Sequence, residues 1–299
     1  MTSEQLAAMV RAALHAILRL PAGVPDALPD IPIARPGRRA PGEWSTPIAL
    51  RVADLFGREP HELALELADR LATTRGIASA TVSGPGFVNI TPAAGAAGEL
   101  VRTILAAGVS YGRGGTTADR VHADGQRRFA GRCLDATSAI GSDAVRFELV
   151  GAPTWVHPQM DAVRSTRRAD DNPVYAVQYA HARTCAFAQR AATAGVRRVD
   201  AFAPQLLTHD LDAALLATLG DYPRVVVQAA QRREPQRLVH YLQELTSAYR
   251  AWSDIVQVRP PGDDPVTDLH RTRLWVNDAT GQVLAGGLAL IGVSAPRRL

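Results

Sequence analysis

The spacing of hydrophobic and polar positions divides this 299-residue chain into three zones. Residues 2–111 alternate between helical and strand patterns, whereas residues 112–171 show the weakest pattern, with only 136–150 suggesting an ordered segment. Residues 172–299 carry helical periodicity throughout. The pattern predicts a small α+β domain joined by a linker to an all-α helical bundle, with limits at 1–112, 113–171 and 172–299.

The first zone opens with a predicted helix that ends before Pro21. Its apolar face consists of Leu6, Met9, Val10, Leu14 and Leu18. Residues 31–33 read as an edge strand, and residues 44–56, 61–72 and 100–107 read as helices. Residues 77–91 predict two strands, because Gly84-Pro85-Gly86 between them is typical of a tight turn.

The clearest helix of the third zone has apolar residues at alternating spacings of four and three. These residues are Leu238, Leu242, Leu245, Tyr249, Trp252 and Val256. Such a seam is typical of a helix packed into a core, so the pattern predicts that these side chains are buried.

Composition excludes several chemistries. The 33 basic residues are all Arg, and the net charge is +4 against 29 acidic residues. A chain without Lys has neither a phosphate-loop Lys nor a Schiff-base Lys. An arginine stays protonated at any working pH and makes a poor general base. The sequence shows no arrangement of nucleophile, base and oxyanion hole, and it shows no paired-His motif. We therefore expect no catalytic residue, no cofactor and no metal site.

Cysteine usage and hydropathy together predict where in the cell this protein is found. Cys133 and Cys185 are too few and too far apart for a disulfide framework or a thiolate cage. The apolar start of the chain is interrupted by Glu4 and Arg11, and no stretch approaches 18 apolar residues. We therefore expect a soluble cytoplasmic protein without membrane contact.

One polar and aromatic stripe stands out at the start of the third zone. On a helix, Tyr175, Gln178, Tyr179 and Arg183 lie at i, i+3, i+4 and i+8, along one side. This combination suits single-stranded RNA, because the rings can stack on bases, the amide can read a base edge and the arginine can pair with phosphate. Aromatic residues at this spacing are also typical of a helical core, and the stripe alone leaves both interpretations open.

Two blocks of sequence resemble the arginyl-tRNA synthetase family. Residues 172–183, 206–209, 222–226, 234–242 and 282–296 are similar to its DALR anticodon-binding domain. Residues 42–46, 84–89 and 111–112 are similar to its N-terminal additional domain. The blocks follow the family's order, and residues 140–147 resemble the segment that joins its catalytic domain to the bundle.

The resemblance implies that the class I catalytic domain between the two blocks is missing. Only some twenty residues separate Tyr111 from Leu134, where the family has a nucleotide-binding fold with a HIGH-type motif. A chain without Lys also has no KMSKS-type loop. The resemblance therefore implies a tRNA-binding protein that does not activate arginine.

Site residues follow from the same resemblance. The N-terminal domain of the family meets the tRNA elbow, which makes Trp44 and Ser45 candidate contacts. The bundle receives the anticodon, which implies RNA-binding roles for Tyr175, Gln178, Tyr179, Arg183 and Trp252.

Departures from the family pattern stand at two aromatic positions of the bundle. Ala176 and Ser253 each replace a family ring, and each lost stacking partner removes about 1–3 kcal/mol of binding. Discrimination between anticodons is therefore expected to be weak.

Two other functions stay open at this level. The chain could serve as a non-catalytic component of an arginine–tRNA ligase that works with a separate synthetase chain. It could also be a scaffold that binds a protein partner without RNA. An exposed apolar patch would favour either of these, whereas an Arg-rich face would favour tRNA.

Overall fold

A computed structural model of the chain describes residues 1–20, 28–34, 36, 43–113, 119–124, 141–153, 160–198, 202–256 and 264–299. Contacts divide it into two compact units, Met1–Leu100 and Val101–Leu299. The domain limits that the sequence suggests, at residues 112 and 171, stay a prediction. The two compact units are defined by contacts between residues and do not test where one domain of the sequence ends and the next begins. Cys133 and the predicted ordering of residues 136–140 lie outside the described residues.

The first unit is a three-stranded antiparallel sheet with helices. Its elements are α1 (Ser3–Ile17), β1 (Trp44–Thr46), α2 (Ile48–Val52), α3 (Pro60–Ala72), β2 (Ile77–Ser83) and β3 (Phe87–Pro92). The strand order is β1-β3-β2, and β2 and β3 form the predicted hairpin around Gly84, which has a positive φ of 57°. Helix α4 (Ala94–Ala107) follows and carries the boundary between the units.

Local sequence explains where the main helices of the first unit begin. Thr2 caps α1 because its hydroxyl accepts from the Gln5 backbone amide at 3.2 Å, and the Thr2 backbone amide in turn donates to Gln5 Oε1 at 2.9 Å. Glu59 caps α3 from the residue before Pro60, which stands at the first helical position. The apolar faces of both helices pack into the core of the unit, as their periodicity predicts.

Two sequence predictions for the first unit are wrong in detail. Residues 44–46 form strand β1 instead of the start of a helix, and Trp44 pairs with Ile90 across the sheet. Pro47 has no amide hydrogen for a continuous helix, so α2 begins only at Ile48. Residues 31–33 form no strand, and the pairing in this segment is a single bridge between Ala34 and Ser45.

The second unit is helical in the part that the structure describes, as predicted for residues 172–299. Its helices are α5 (Ser142–Gly151), α6 (Ala162–Thr166), α7 (Pro173–Thr193), α8 (Asp210–Arg232), α9 (Gln236–Ile255) and α10 (Asp268–Leu290). The predicted seam of α9 is confirmed, since its six residues are at most 4% exposed. Among the described residues, no helix is both long and apolar enough to cross a membrane.

Candidate nucleic-acid interface

Helix α7 presents the predicted aromatic stripe. Asn172 caps the helix by accepting from the Tyr175 amide, and Pro173 stands at the first helical position. Tyr175 and Tyr179 stack one turn apart, with ring centroids 5.8 Å apart and planes inclined by 18°. Tyr179 is 40% exposed, and Tyr175 beside it is half-buried. The outer ring therefore keeps surface on which a base can stack.

Arg183 continues the stripe but is already engaged within the protein. Its guanidinium donates to Asp254 Oδ1 at 2.6 Å and to the Ser253 carbonyl at 3.3 Å. The same group lies 5.3 Å from the centre of the Phe187 ring. These contacts hold the cation on the surface between α7 and α9.

A second arginine lies on the same side of the bundle. Arg250 donates to Asp170 Oδ2 at 2.6 Å, and this bond lowers the pKa of Asp170 and raises that of Arg250. Arg250 stands one turn before Asp254 on α9, the aspartate that pairs with Arg183 of α7. Two arginines therefore lie on this side of the bundle, each neutralised by an exposed aspartate.

Gln178 is hydrogen-bonded within the protein, whereas the stripe predicts that its amide is available to read a base edge. Its side-chain amide donates to Asp143 Oδ2 at 2.8 Å and to the Ser294 carbonyl at 3.1 Å. Asp143 also accepts from the Ser294 amide at 3.2 Å. Both donors of Gln178 therefore face protein acceptors, and the residue connects α7 to α5 and to the chain beyond α10.

Trp252 lies in the core, which corrects its prediction as an RNA contact. The residue has no exposed surface, and its indole nitrogen donates to Asp212 Oδ1 at 2.7 Å. Tyr249 packs beside it at 5.9 Å between ring centroids. A ring without accessible surface has no face for a base, so Trp252 is a packing residue of the α9 seam.

Trp44 and Ser45 are also buried, in the sheet of the first unit. Trp44 is 1% exposed and lies in the hydrophobic core, and Ser45 pairs with Asn89 of β3. Neighbouring side chains of a strand point to opposite faces of the sheet, yet all three residues of β1 are buried. Their burial therefore argues against direct contact of these two side chains with the elbow of a tRNA.

Sequence reasoning missed the acidic partners of the arginines. Asp170 and Asp254 lie far along the chain from Arg250 and Arg183, respectively. Only the adjacency of α9 to α7 brings Asp254 beside Arg183, and no spacing within the sequence contains that information.

Comparison with known proteins is consistent with this architecture. Residues 4–91 match the family model described as arginyl tRNA synthetase N terminal domain, and residues 177–299 match the DALR anticodon binding domain. An arginine–tRNA ligase from Clavibacter sepedonicus is 52% identical over 165 residues, which cover 55% of this chain and 30% of the relative. A second arginine–tRNA ligase, from Kineococcus radiotolerans, is 50% identical over 165 residues, which again cover 55% of this chain and 30% of the relative.

A solved structure supports the fold. The Thermus thermophilus arginyl-tRNA synthetase matches with a TM-score of 0.69 at 13% identity, over 100% of both chains. Fold and site thus define a protein in which a small α+β domain is followed along the chain by a helical bundle of the DALR anticodon-binding type. Through these two domains the chain belongs to the arginyl-tRNA synthetase family. It spans about 30% of the length of the two relatives.

Proposed function

We propose that this chain binds tRNA and that the anticodon loop meets the face formed by Tyr175, Tyr179, Arg183 and Arg250. The stacked pair Tyr175–Tyr179, with its outer ring 40% exposed, is the observation that carries the proposal. The match of residues 177–299 to the DALR anticodon binding domain supports the same ligand.

Exposure of this ring argues for a ligand. Tyr179 is the one exposed tyrosine among the described residues, and the buried ones of the same unit are Tyr111, Tyr222, Tyr241 and Tyr249. An aromatic face next to arginines is the arrangement that takes unpaired bases, with about 1–3 kcal/mol for each stacked base. The stacking contact with Tyr175 limits the freedom of the Tyr179 ring before RNA binds.

Recognition of the anticodon sequence is proposed to be weak. Ala176 offers no ring beside Tyr175, and Trp252 is buried. The amide of Gln178 is held by Asp143 and Ser294, so its donors are not free to read a base edge. One stacking platform and phosphate contacts remain, and neither distinguishes bases strongly.

Binding of a tRNA transcript to the full chain tests this function. Tyr179→Ala should weaken binding by about 1–3 kcal/mol, whereas Tyr179→Phe should retain affinity because stacking needs only the ring. Leu206→Ala, which truncates another exposed side chain of the unit, serves as the surface control. Loss of thermal stability in Tyr179→Ala with unchanged tRNA affinity would contradict the assignment.

Exchange of the anticodon tests the second part of the proposal. A native transcript and one with a replaced anticodon should bind within a few-fold of each other. A large difference that disappears in Tyr179→Ala would show that the face reads sequence.

We also propose that the chain alone does not activate arginine. Only residues 92–176 separate the two matched domains, and the chain contains no Lys for a KMSKS-type loop. Arginine- and tRNA-dependent ATP–pyrophosphate exchange by the purified chain should stay at background. Robust exchange would overturn this statement without affecting tRNA binding.

A further inference from the structure

A groove of about 1040 Å³ lies on the other side of helix α7 from the stacked tyrosines. His181 and Cys185 line it, and each stands two positions after a residue of the stripe, Tyr179 or Arg183. Two positions on a helix correspond to a rotation of about 200°. The groove is therefore a separate surface, and its ligand does not depend on the proposed anticodon face.

Small residues of α7 and α10 form the floor of the groove. A Cβ atom added at Gly281 would lie 2.6 Å from Thr184 Oγ1, so the two helices approach as closely as a glycine permits. Ala188 of α7 and Ala285 of α10 line the same surface. Small side chains therefore form this part of the lining, and no long side chain of α7 or α10 projects from these positions.

Arg198 forms one basic wall and is held from two sides. Its Nε lies 3.0 Å from Asp278 Oδ2 in an ion pair, and its guanidinium carbon lies 5.4 Å from the centre of the Trp275 ring. The closest approach to Asp278 is through Nε, and the two terminal nitrogens lie outside this contact. The ring and the carboxylate orient the guanidinium without covering it, since Arg198 is exposed.

Arg297 and Arg298 form a second basic wall of the groove. The preceding residue, Pro296, accepts a hydrogen bond at 2.9 Å from His181 Nδ1, which anchors this segment on α7. Both arginines are exposed and line the groove. His181 thus acts as a positioning residue for the two cations.

The charge of the groove is positive. Among the described residues that line it, Asp278 is the single carboxylate, and Arg198 already neutralises it. Arg297 and Arg298 add two positive charges, and Gln189 and Gln282 add neutral donors. Guanidinium groups favour phosphate because their N–H groups match two of its oxygens at once.

From this geometry we propose that the groove is a binding site for a ligand that carries at least two linked phosphates. Arg297 and Arg298 would hold one phosphate, the terminal nitrogens of Arg198 the next, and the small-residue floor would pass beneath the linkage. A free polyphosphate and a phosphodiester strand share this chemistry.

Calorimetric titration of the full chain with tripolyphosphate at low salt tests the site. Arg297→Gln/Arg298→Gln should weaken binding at least about tenfold, because it removes the charge-assisted hydrogen bonds of one wall. The control Arg70→Gln/Arg232→Gln removes the same charge from two exposed arginines outside the groove lining and should bind like the parent. Equal losses in the two double variants would overturn the proposal, as would no binding by the parent.

A matched pair of substitutions on the floor separates charge from shape. Ala285 is half-buried on α10, so Ala285→Glu and Ala285→Gln fill nearly the same volume. Ala285→Glu should abolish tripolyphosphate binding, and Ala285→Gln should retain clearly more of it. If the two variants behave alike, the site does not select anions and the proposal fails.

Competition identifies the source of the phosphates. A short single-stranded oligonucleotide that displaces tripolyphosphate would assign the groove to a phosphodiester strand, and failure to displace it would assign a free polyphosphate. Tyr179→Ala should bind tripolyphosphate like the parent, so failure of the anticodon face and failure of the groove give different results.

Discussion

The side-chain amide of Gln178 donates to Asp143 Oδ2 at 2.8 Å, across 35 positions of sequence. Asp143 lies in the first turn of α5, and it also accepts from the Ser294 amide and hydroxyl. One carboxylate therefore connects α5, α7 and the segment after α10. The sequence suggests that the Gln178 amide reads a base edge, but in the structure this amide helps to join the three segments.

Asp143→Ala should lower the free energy of unfolding by about 1–3 kcal/mol, because Gln178 and Ser294 would lose their shared acceptor. Thermal or denaturant unfolding measures the change. Asp171→Ala, which removes an exposed ion pair with Arg167 at 2.6 Å, is the control and should cost less than about 1 kcal/mol. Unchanged stability with abolished RNA binding would instead make Asp143 an RNA contact.

Trp252→Phe should also destabilise the bundle, by about 1–3 kcal/mol, since Asp212 would keep a buried carboxylate without its indole partner. The affinity of the folded protein for tRNA should not change. In the double variant with Asp212→Asn, the loss should be smaller than the sum of the single losses, because the two residues interact. Additive losses would mean that this hydrogen bond contributes little.

Asp254→Asn should strengthen tRNA binding, because it removes the anion that competes with phosphate for Arg183. The slope of log K against log salt should become steeper by about 0.7–0.9 if one more phosphate is contacted. In the Asp254→Asn background, Arg183→Gln should remove this added contact and make the slope shallower again by a similar amount. Asp268→Asn, which breaks an exposed ion pair with Arg271 on α10, is the control for net charge and should have a smaller effect on affinity and slope. Equal effects of the two asparagine variants would exclude a specific role of Asp254.

His181 should make stability depend on pH. Burial lowers its pKa below the usual 6.5, and the nearby Arg297 acts in the same direction, although the bond to the Pro296 carbonyl opposes both. The unfolded chain therefore takes up the proton first as the pH falls. The contribution of neutral His181 is present above pH 6.5 and is lost progressively below it.

His181→Asn should remove this part of the pH dependence and keep a donor for Pro296. Denaturant unfolding at several values between pH 7.5 and 5 measures the difference between parent and variant. The gap in unfolding free energy between the two proteins should narrow or reverse toward pH 5. A gap that stays constant would show that His181 titrates alike in the folded and unfolded states.

Much of the fold could be predicted from the sequence because local periodicity and capping determine it. The apolar spacing of α1 and α9, the turn at Gly84 and the cap at Asn172 each depend on neighbouring residues. The likeness to the arginyl-tRNA synthetase family is likewise carried by contiguous blocks, and the comparisons confirm it.

Only the tertiary structure decided which polar and aromatic side chains remain on the surface. Trp252 and Tyr179 are both aromatic residues at helical spacing, yet α9 is enclosed along its seam, whereas the Tyr179 side of α7 is not. Asp254 beside Arg183, Asp143 beside Gln178 and Arg198 facing the groove all result from contacts between distant segments. Periodicity within one helix specifies which residues share a side, but the packing of neighbouring helices determines whether that side is covered.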